Sequence, residues 1–543
     1  MKTAYIAILA AAIPAAAWAQ SAVDAQQISQ PDFRGTARFM SMGGAFSALG
    51  GDLSTLGQNP AGIGVYRNSE IGVTLGIDMQ SSKTDPNASF PYKNSQTKAS
   101  CNNFGYVGAT RLDGALRTFN WGVSYGRAAS FNRVYRGYVP QTQTSQTNYI
   151  AAFTTASGAT PADLDFGNNY NPYLDSGEDW LSILAYSSFL INGNETGGFN
   201  GLYDHETSGD ALYYVNEQGY VDEYNITFGG NVSDVVYWGL GFGITDLNYT
   251  RSVYYDESMG NAWIPAFDAN GNQAGMTNGS AGYDLSSWKH INGTGWNIKL
   301  GVIVKPINEL RLGFAVHTPT WYHLTQQYNG EVSAEFTPTD YNGNALGSRR
   351  TFNEYTDDAY FNWHFKAPWK FMVGAAGVIG GRAILSVDYE YDAYGDMSIS
   401  TPMYVNGFDT GFESNDALNQ DIKNYYKSSN IVRLGAEFRV TPQLSVRAGY
   451  NTQTSNTTSD AQQSVVQVAT SGVDTSYSLD KNTYYITAGL GYRYQAWYVD
   501  LAYVYKHRES TFHAYTDFDG FKAPQSSLVD TNSSIVISTG FKF

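Results

Sequence analysis

Two-residue alternation dominates this chain and narrows its folds more than any other feature. "EIGVTLGIDMQ" puts Ile71, Val73, Leu75, Ile77 and Met79 on one face. "GWNIKLGVIV" does the same with Trp296, Ile298, Leu300, Val302 and Val304. The closing "SSIVISTGFKF" repeats it with Ile535, Ile537, Thr539, Phe541 and Phe543. Fourteen such segments are read between residue 70 and the end of the chain. Many exceed ordinary soluble strand length, and about 9–11 residues is what a tilted strand needs to cross a bilayer. Short links sit at 113–116, 233–234, 305–308, 380–381, 441–443 and 495–496. Long links sit near 81–99, 132–219, 251–290, 329–365, 394–428, 454–481 and 510–531. Short–long alternation with an even strand count predicts an all-β, 14-stranded antiparallel transmembrane β-barrel, with both chain ends on the periplasmic side. A β-sandwich does not sort its loops this way.

The two faces of the strands fit a bilayer. Trp238, Phe438, Tyr494 and Trp497 fall near the short turns, where an aromatic girdle belongs. On the opposite face, Asp388, Glu390, Arg433, Glu437, Arg447 and Asp500 point into the lumen. Two readings of that set stay open: an ion path or polar latch for a plug, and a satisfied network of carboxylates and arginines.

Composition excludes several classes. The net charge is −16, and no basic patch is visible to neutralise phosphates, so no nucleic-acid partner is expected. The single cysteine, Cys101, excludes an intramolecular disulfide framework and a cysteine-based metal cluster. "MKTAYIAILAAAIPAAAWAQ" has Lys2, an apolar stretch and Ala17-Trp18-Ala19, which predicts a signal peptide over 1–19. No later apolar run is long enough for a transmembrane helix. No G-x-S-x-G elbow, H-E-x-x-H or P-loop is present, so the chain is not expected to be an enzyme, and no cofactor or metal is expected. "DANGN" (Asp268, Asn270, Asn272) has calcium-like spacing. Position twelve is Gly279, not Glu, and a plain Asn-Gly turn is the better reading.

Residues 20–69 lie between the signal and the first strand. They are too few for a domain with its own core, yet they carry Phe33, Phe39, Met42, Phe46 and Leu53, which need burial. A fourteen-strand barrel has a lumen wide enough to hold them. Residues 20–69 therefore read as an N-terminal hatch inside the barrel of residues 70–543. Glycines there permit tight turns and close backbone approach, and Pro60 fixes local φ.

The stretch "GTARFMSMGGAFSALGGDLSTLGQNPAGI" resembles the N-terminal signature of the FadL/OmpP1/TodX family of outer-membrane transporters of hydrophobic compounds. The matching elements are Ala37-Arg38, Met42-Gly43-Gly44-Ala45, Asp52 and Asn59-Pro60-Ala61-Gly62. With fourteen strands, a hatch and an aromatic C-terminus, the resemblance covers the whole mature chain. It implies a bacterial outer-membrane location and passive uptake: loop capture, a lumen pocket, and lateral release gated by the hatch. Gly43, Gly44, Asn59, Pro60, Ala61 and Gly62 are the gating candidates, and a tight plug-to-strand turn is the other reading of Asn59–Gly62. Expected partners are a hydrophobic ligand with long-chain fatty acids as the default, outer-membrane lipid and lipopolysaccharide, and the barrel assembly machinery. The alternative function is that of a FadL-like interaction subunit of a secretion or assembly machine.

The link at 132–219 holds "DWLSILAYSSFLING". Trp180, Leu181, Leu184 and Phe189 form either an exposed capture surface or a loop helix packed on its neighbours. No Lys or Arg occurs from Gly137 to Thr250, which disfavours the approach of anionic substrates without divalent ions.

Overall fold

The computed structural model describes residues 20–85, 91–405 and 408–543; the expected signal peptide lies outside them. Its main sheet is a closed antiparallel barrel. The first seven strands are β1 (Glu70–Thr84), β2 (Tyr92–Arg111), β3 (Leu116–Ser130), β4 (Ser208–Val232), β5 (Val236–Phe267), β6 (Gln273–Ile307) and β7 (Leu310–His317). The second seven are β8 (Lys370–Ile379), β9 (Ala383–Asp392), β10 (Ser429–Arg439), β11 (Leu444–Gln453), β12 (Tyr477–Tyr494), β13 (Trp497–His513) and β14 (Gln525–Lys542). Each pairs with its chain neighbours, and β14 returns to β1 in unbroken register from Glu70 opposite Lys542 to Thr84 opposite Leu528. Closure gives every strand a neighbour on both sides over the spanning part, which is what lipid demands of a spanning sheet.

Local chemistry sets the tight turns. Ser233 and Asp234 both take positive φ (54° and 57°), as do Gly380 and Gly381 (56° and 65°). Two left-handed residues in a row match the twist of the flanking strands. Outside, Leu75, Phe104, Trp121, Phe242, Leu300 and Ile537 are exposed and form an apolar belt. At the turn end the belt is bordered by aromatic contacts such as Trp497 on Phe541 (4.8 Å); at the other end Trp296 lies against Trp321 at 4.5 Å. Among the described residues no helix is long and apolar enough to cross a membrane.

The sheet continues beyond the belt, where the sequence reading places long loops. β5 and β6 run for 32 and 35 residues and form one hairpin through most of 251–290. Pro319 and Pro368 interrupt β7 and β8, because proline cannot donate to the ladder. The wall resumes past them as Trp321–Phe336 paired with Ala359–Lys366. Arg133–Thr142 likewise continues beside β4. These extensions escaped the alternation pattern because their outer face meets water instead of lipid and carries polar and aromatic residues in place of aliphatics.

Candidate functional site

The segment from Gln20 to Tyr66 runs inside the barrel, and Arg67 and Asn68 emerge at the turn end. Thr36 accepts the Phe39 N–H (3.2 Å) to start the helix Ala37–Ser41 and donates to Asp52 (2.7 Å). Gly43 and Gly44 follow with φ of 63° and 78°. A Cβ on Gly43 would stand 2.7 Å from the carbonyl oxygens of Leu434 and Tyr450, so this turn lies directly on the wall. Asn59 opens the short 3-10 turn Pro60–Val65 by accepting the Ala61 N–H (3.1 Å), and donates to the Ser47 carbonyl (2.6 Å). That turn presses on Gly239 and Gly301 of β5 and β6, where a Cβ would collide with Pro60 and Asn59.

On the other side of the lumen a polar network holds the same segment. Arg447 bridges Glu437 (2.8 Å) and Asp500 (2.5 Å), and Arg38 of the segment joins Glu437 at 2.9 Å. Asp388 accepts the Ser47 N–H at 2.7 Å, and Arg433 pairs with Glu390 at 2.6 Å. All six residues expected in the lumen network therefore face inward. Charges in a low-dielectric interior need partners of this quality.

Above this contact zone lies a cavity of about 250 Å³. Ile28, Phe33, Phe39, Met372, Ile431 and Tyr485 give it an apolar side. Of the cations along it, Lys370 keeps donors to spare, whereas the free nitrogens of Arg433 are buried away from the space. Lys370 is 3.8 Å from Asp392, and Arg433 Nε and Nη1 have no hydrogen-bond partner. Neither Gly43, Gly44 nor Asn59–Gly62 is among the lining residues; Gly57 and Gln58, just before them, are.

The wall beside the cavity is incomplete. β2 pairs with β3 only from Arg111–Thr118 up to Asn103–Gly126. Beyond that point β2 follows β1 alone, after a bulge at Asn102 between the pairs Thr74–Asn103 and Leu75–Cys101. The gap is closed by side chains and by the lumen segment. Asp32 N–H donates to the Ala128 carbonyl of β3 (2.9 Å), so a strap over 30–34 satisfies backbone that β2 leaves unpaired. Arg34 joins Asp32 (2.8 Å) and Asp78 of β1 (2.9 Å) and donates to Asn102 (3.2 Å). On the outer side Arg127 pairs with Asp222 (2.7 Å) over the Tyr220 ring, and Lys98 donates to Asn132 across the gap. Sequence reasoning missed this site. Its one local sign is the doublet Asn102-Asn103, where the alternation of β2 slips by one residue and both asparagines are buried.

The far end of the barrel is sealed by the long connection between β3 and β4. Trp180, Leu181 and Leu184 are buried in its core, and Phe189 stacks edge-on with Phe267 and Phe352. Of the two readings of this stretch, the burial matches the packed loop helix and not the exposed surface: the helix Trp180–Ser187 is largely apolar and sits inside a cap. Glu257 anchors the neighbouring helix Gln146–Ser157 by accepting from Ser145, the Gln146 N–H (3.0 Å) and Tyr255 (2.7 Å). The "DANGN" carboxylate is spent on its own turn, accepting the N–H groups of Asn270 and Asn272 at 2.8 Å each. "DYNGN" at Asp340 repeats that geometry.

No protein-family model matches the chain, and no curated protein matches it by sequence. Solved structures do resemble it. A Pseudomonas aeruginosa FadL homologue aligns with a TM-score of 0.50 at 13% identity, covering 94% of this chain and 99% of that one. The Pseudomonas putida toluene transporter TodX aligns at 0.43 and 13%, covering 95% and 100%; the Ralstonia pickettii toluene transporter TbuX aligns at 0.40 and 13%, covering 94% and 98%. At such identity the first of these speaks for architecture, and with the closed strand order and the apolar belt it fixes the class: the chain has the fold of the FadL family, a fourteen-stranded barrel of the bacterial outer membrane.

Proposed function

We propose that the barrel passively carries hydrophobic small molecules, long-chain fatty acids or similar lipophiles, across the outer membrane and releases them sideways through the gap between β2 and β3. The observation that carries this reading is the lapse of pairing beyond Asn103–Gly126, with a cavity on its inner side and the lipid-facing surface on its outer side. Lateral release keeps a lipophile out of periplasmic water, which costs about 0.8 kcal/mol per exposed methylene. The cavity suits an amphiphile. Its apolar wall takes a chain, and Lys370, whose ammonium lies 3.8 Å from Asp392, takes a carboxylate.

In this reading the gate is the strap. Withdrawal of Arg34 from Asp78 and Asn102 frees the inner mouth, and parting of Arg127 from Asp222 frees the outer one. Gly43, Gly44 and the run Asn59-Pro60-Ala61-Gly62 are the hinges on which the hatch shifts, since they lie on the wall below the cavity. Trp180, Leu181, Leu184 and Phe189 meet a ligand only after the cap parts, so capture is a step of cap opening.

Native mass spectrometry of the protein, gently solubilised from its own membrane, tests the reading. The expected result is a co-purifying lipophile that is lost in Lys370→Ala. A stoichiometric protein partner on an empty barrel would favour the interaction-subunit alternative instead.

A further inference from the structure

The water-exposed outer face of the strand extensions has a chemistry of its own. Cross-strand pairs align it in rows. Tyr214 faces Tyr254, Tyr254 faces Ser286, and Ser286 faces Glu331. One row nearer the membrane, Ser252 faces Trp288, which faces Asn329. Between the rows lies an open groove of about 550 Å³, closed at one side by Tyr355. Trp288 is half-buried and stacks with His290 (6.0 Å, 14° between planes), which presents its ring as a fixed plate.

Trp288 stands eight residues beyond Trp296 of the girdle along β6. At about 3.3 Å per residue and a tilt near 40°, that is roughly 20 Å beyond the apolar belt. The outer leaflet of the bacterial outer membrane carries its saccharide at that height, so the groove is continuous with the lipid interface and faces sugar. The residues in between fit sugar as well. Gln218, Thr250, His290, Asn292 and Gln327 are among the outward positions between groove and girdle; the lysine and arginine of this stretch, Lys289 and Arg251, point inward and are buried. A face of this kind does not recruit phosphate, and Glu331 repels it. Aromatic plates flanked by hydroxyls and amides give large contact area at low entropic cost, with adaptable hydrogen bonds beside it.

We propose that this groove binds the neutral hexoses of the lipopolysaccharide core oligosaccharide in the surrounding leaflet, with Trp288 and Tyr254 as stacking plates and Ser252, Asn329 and Glu331 as hydrogen-bonding partners. The site is independent of transport through the lumen.

The test uses the full barrel in detergent and, as probe, core oligosaccharide freed of lipid A and enzymatically dephosphorylated. Saturation-transfer NMR reads contact with sugar protons, and tryptophan fluorescence reads affinity. Saturable binding is expected, weakened tenfold or more in Trp288→Ala and in Tyr254→Ala. Phe314→Ala, on the lipid belt, should bind like the parent, and all variants should keep the heat-modifiable gel shift of a folded barrel. Binding that survives both aromatic substitutions, binding lost on dephosphorylation, or no binding to the folded parent would each overturn the assignment.

Discussion

At the scale of single residues, Arg447 is the side chain with most to lose. It is 5% exposed and serves two carboxylates that are themselves buried. Arg447→Met leaves Glu437 and Asp500 without their shared cation, a loss of about 3–5 kcal/mol. The expected outcome is a lower temperature for the heat-modifiable gel shift, with partial recovery when Asp500→Asn is added. Gly239 is the complementary case. A valine there meets the Pro60 carbonyl, so Gly239→Val should leave β5 paired but displace the hatch. Greater sensitivity of the host cells to a hydrophilic antibiotic is the readout. The sequence already placed the six lumen-network residues on one face, because parity alone decides which side of a strand faces in. Arg34 was not legible in this way: its partners Asp78 and Asn102 are joined to it only by the course of the strap across the wall.

At the scale of elements, the cap helix Trp180–Ser187 carries a pH dependence. Asp179 accepts the Leu181 N–H (2.8 Å) at its start, and burial pushes that carboxyl up to about 6. A carboxyl whose folded value lies above its unfolded one favours the folded form most below the unfolded value, and that advantage is lost as pH rises through about 4 to 6. Protection of the Trp180–Ser187 amides, taken relative to their intrinsic exchange rate at each pH, should therefore rise on going from pH 7 to pH 5, and Asp179→Asn should flatten that profile. The alternation that revealed the spanning part of β5 gave no sign of its continuation past residue 250. There Ser252, Tyr254 and Asp256 occupy the outer face in place of Leu240, Phe242 and Ile244, and period-two reading needs one aliphatic face to work. The helix of the cap stayed open between a capture surface and a packed loop helix for a related reason: an all-round apolar stretch announces burial or exposure equally well until the elements around it are known.

At the scale of the whole molecule, strand count and orientation follow from the parity of short and long links, and the structure closes with that count. The gap between β2 and β3 left only the Asn102-Asn103 doublet as a local sign, because both strands otherwise read as complete and their divergence opens the wall. The strap, the Arg127–Asp222 pair and the cavity behind them make that gap the center of the proposed transport path. The most direct measurement locks it. In a Cys101→Ser background, Asp32→Cys/Ala128→Cys puts thiols on residues already joined by a 2.9 Å backbone hydrogen bond, within reach of a short reducible cross-linker. Uptake of a fluorescent long-chain fatty acid by cells carrying this variant should fall, once cross-linked, to that of cells lacking the protein and return on reduction; uptake unchanged by the cross-link would contradict release through this gap.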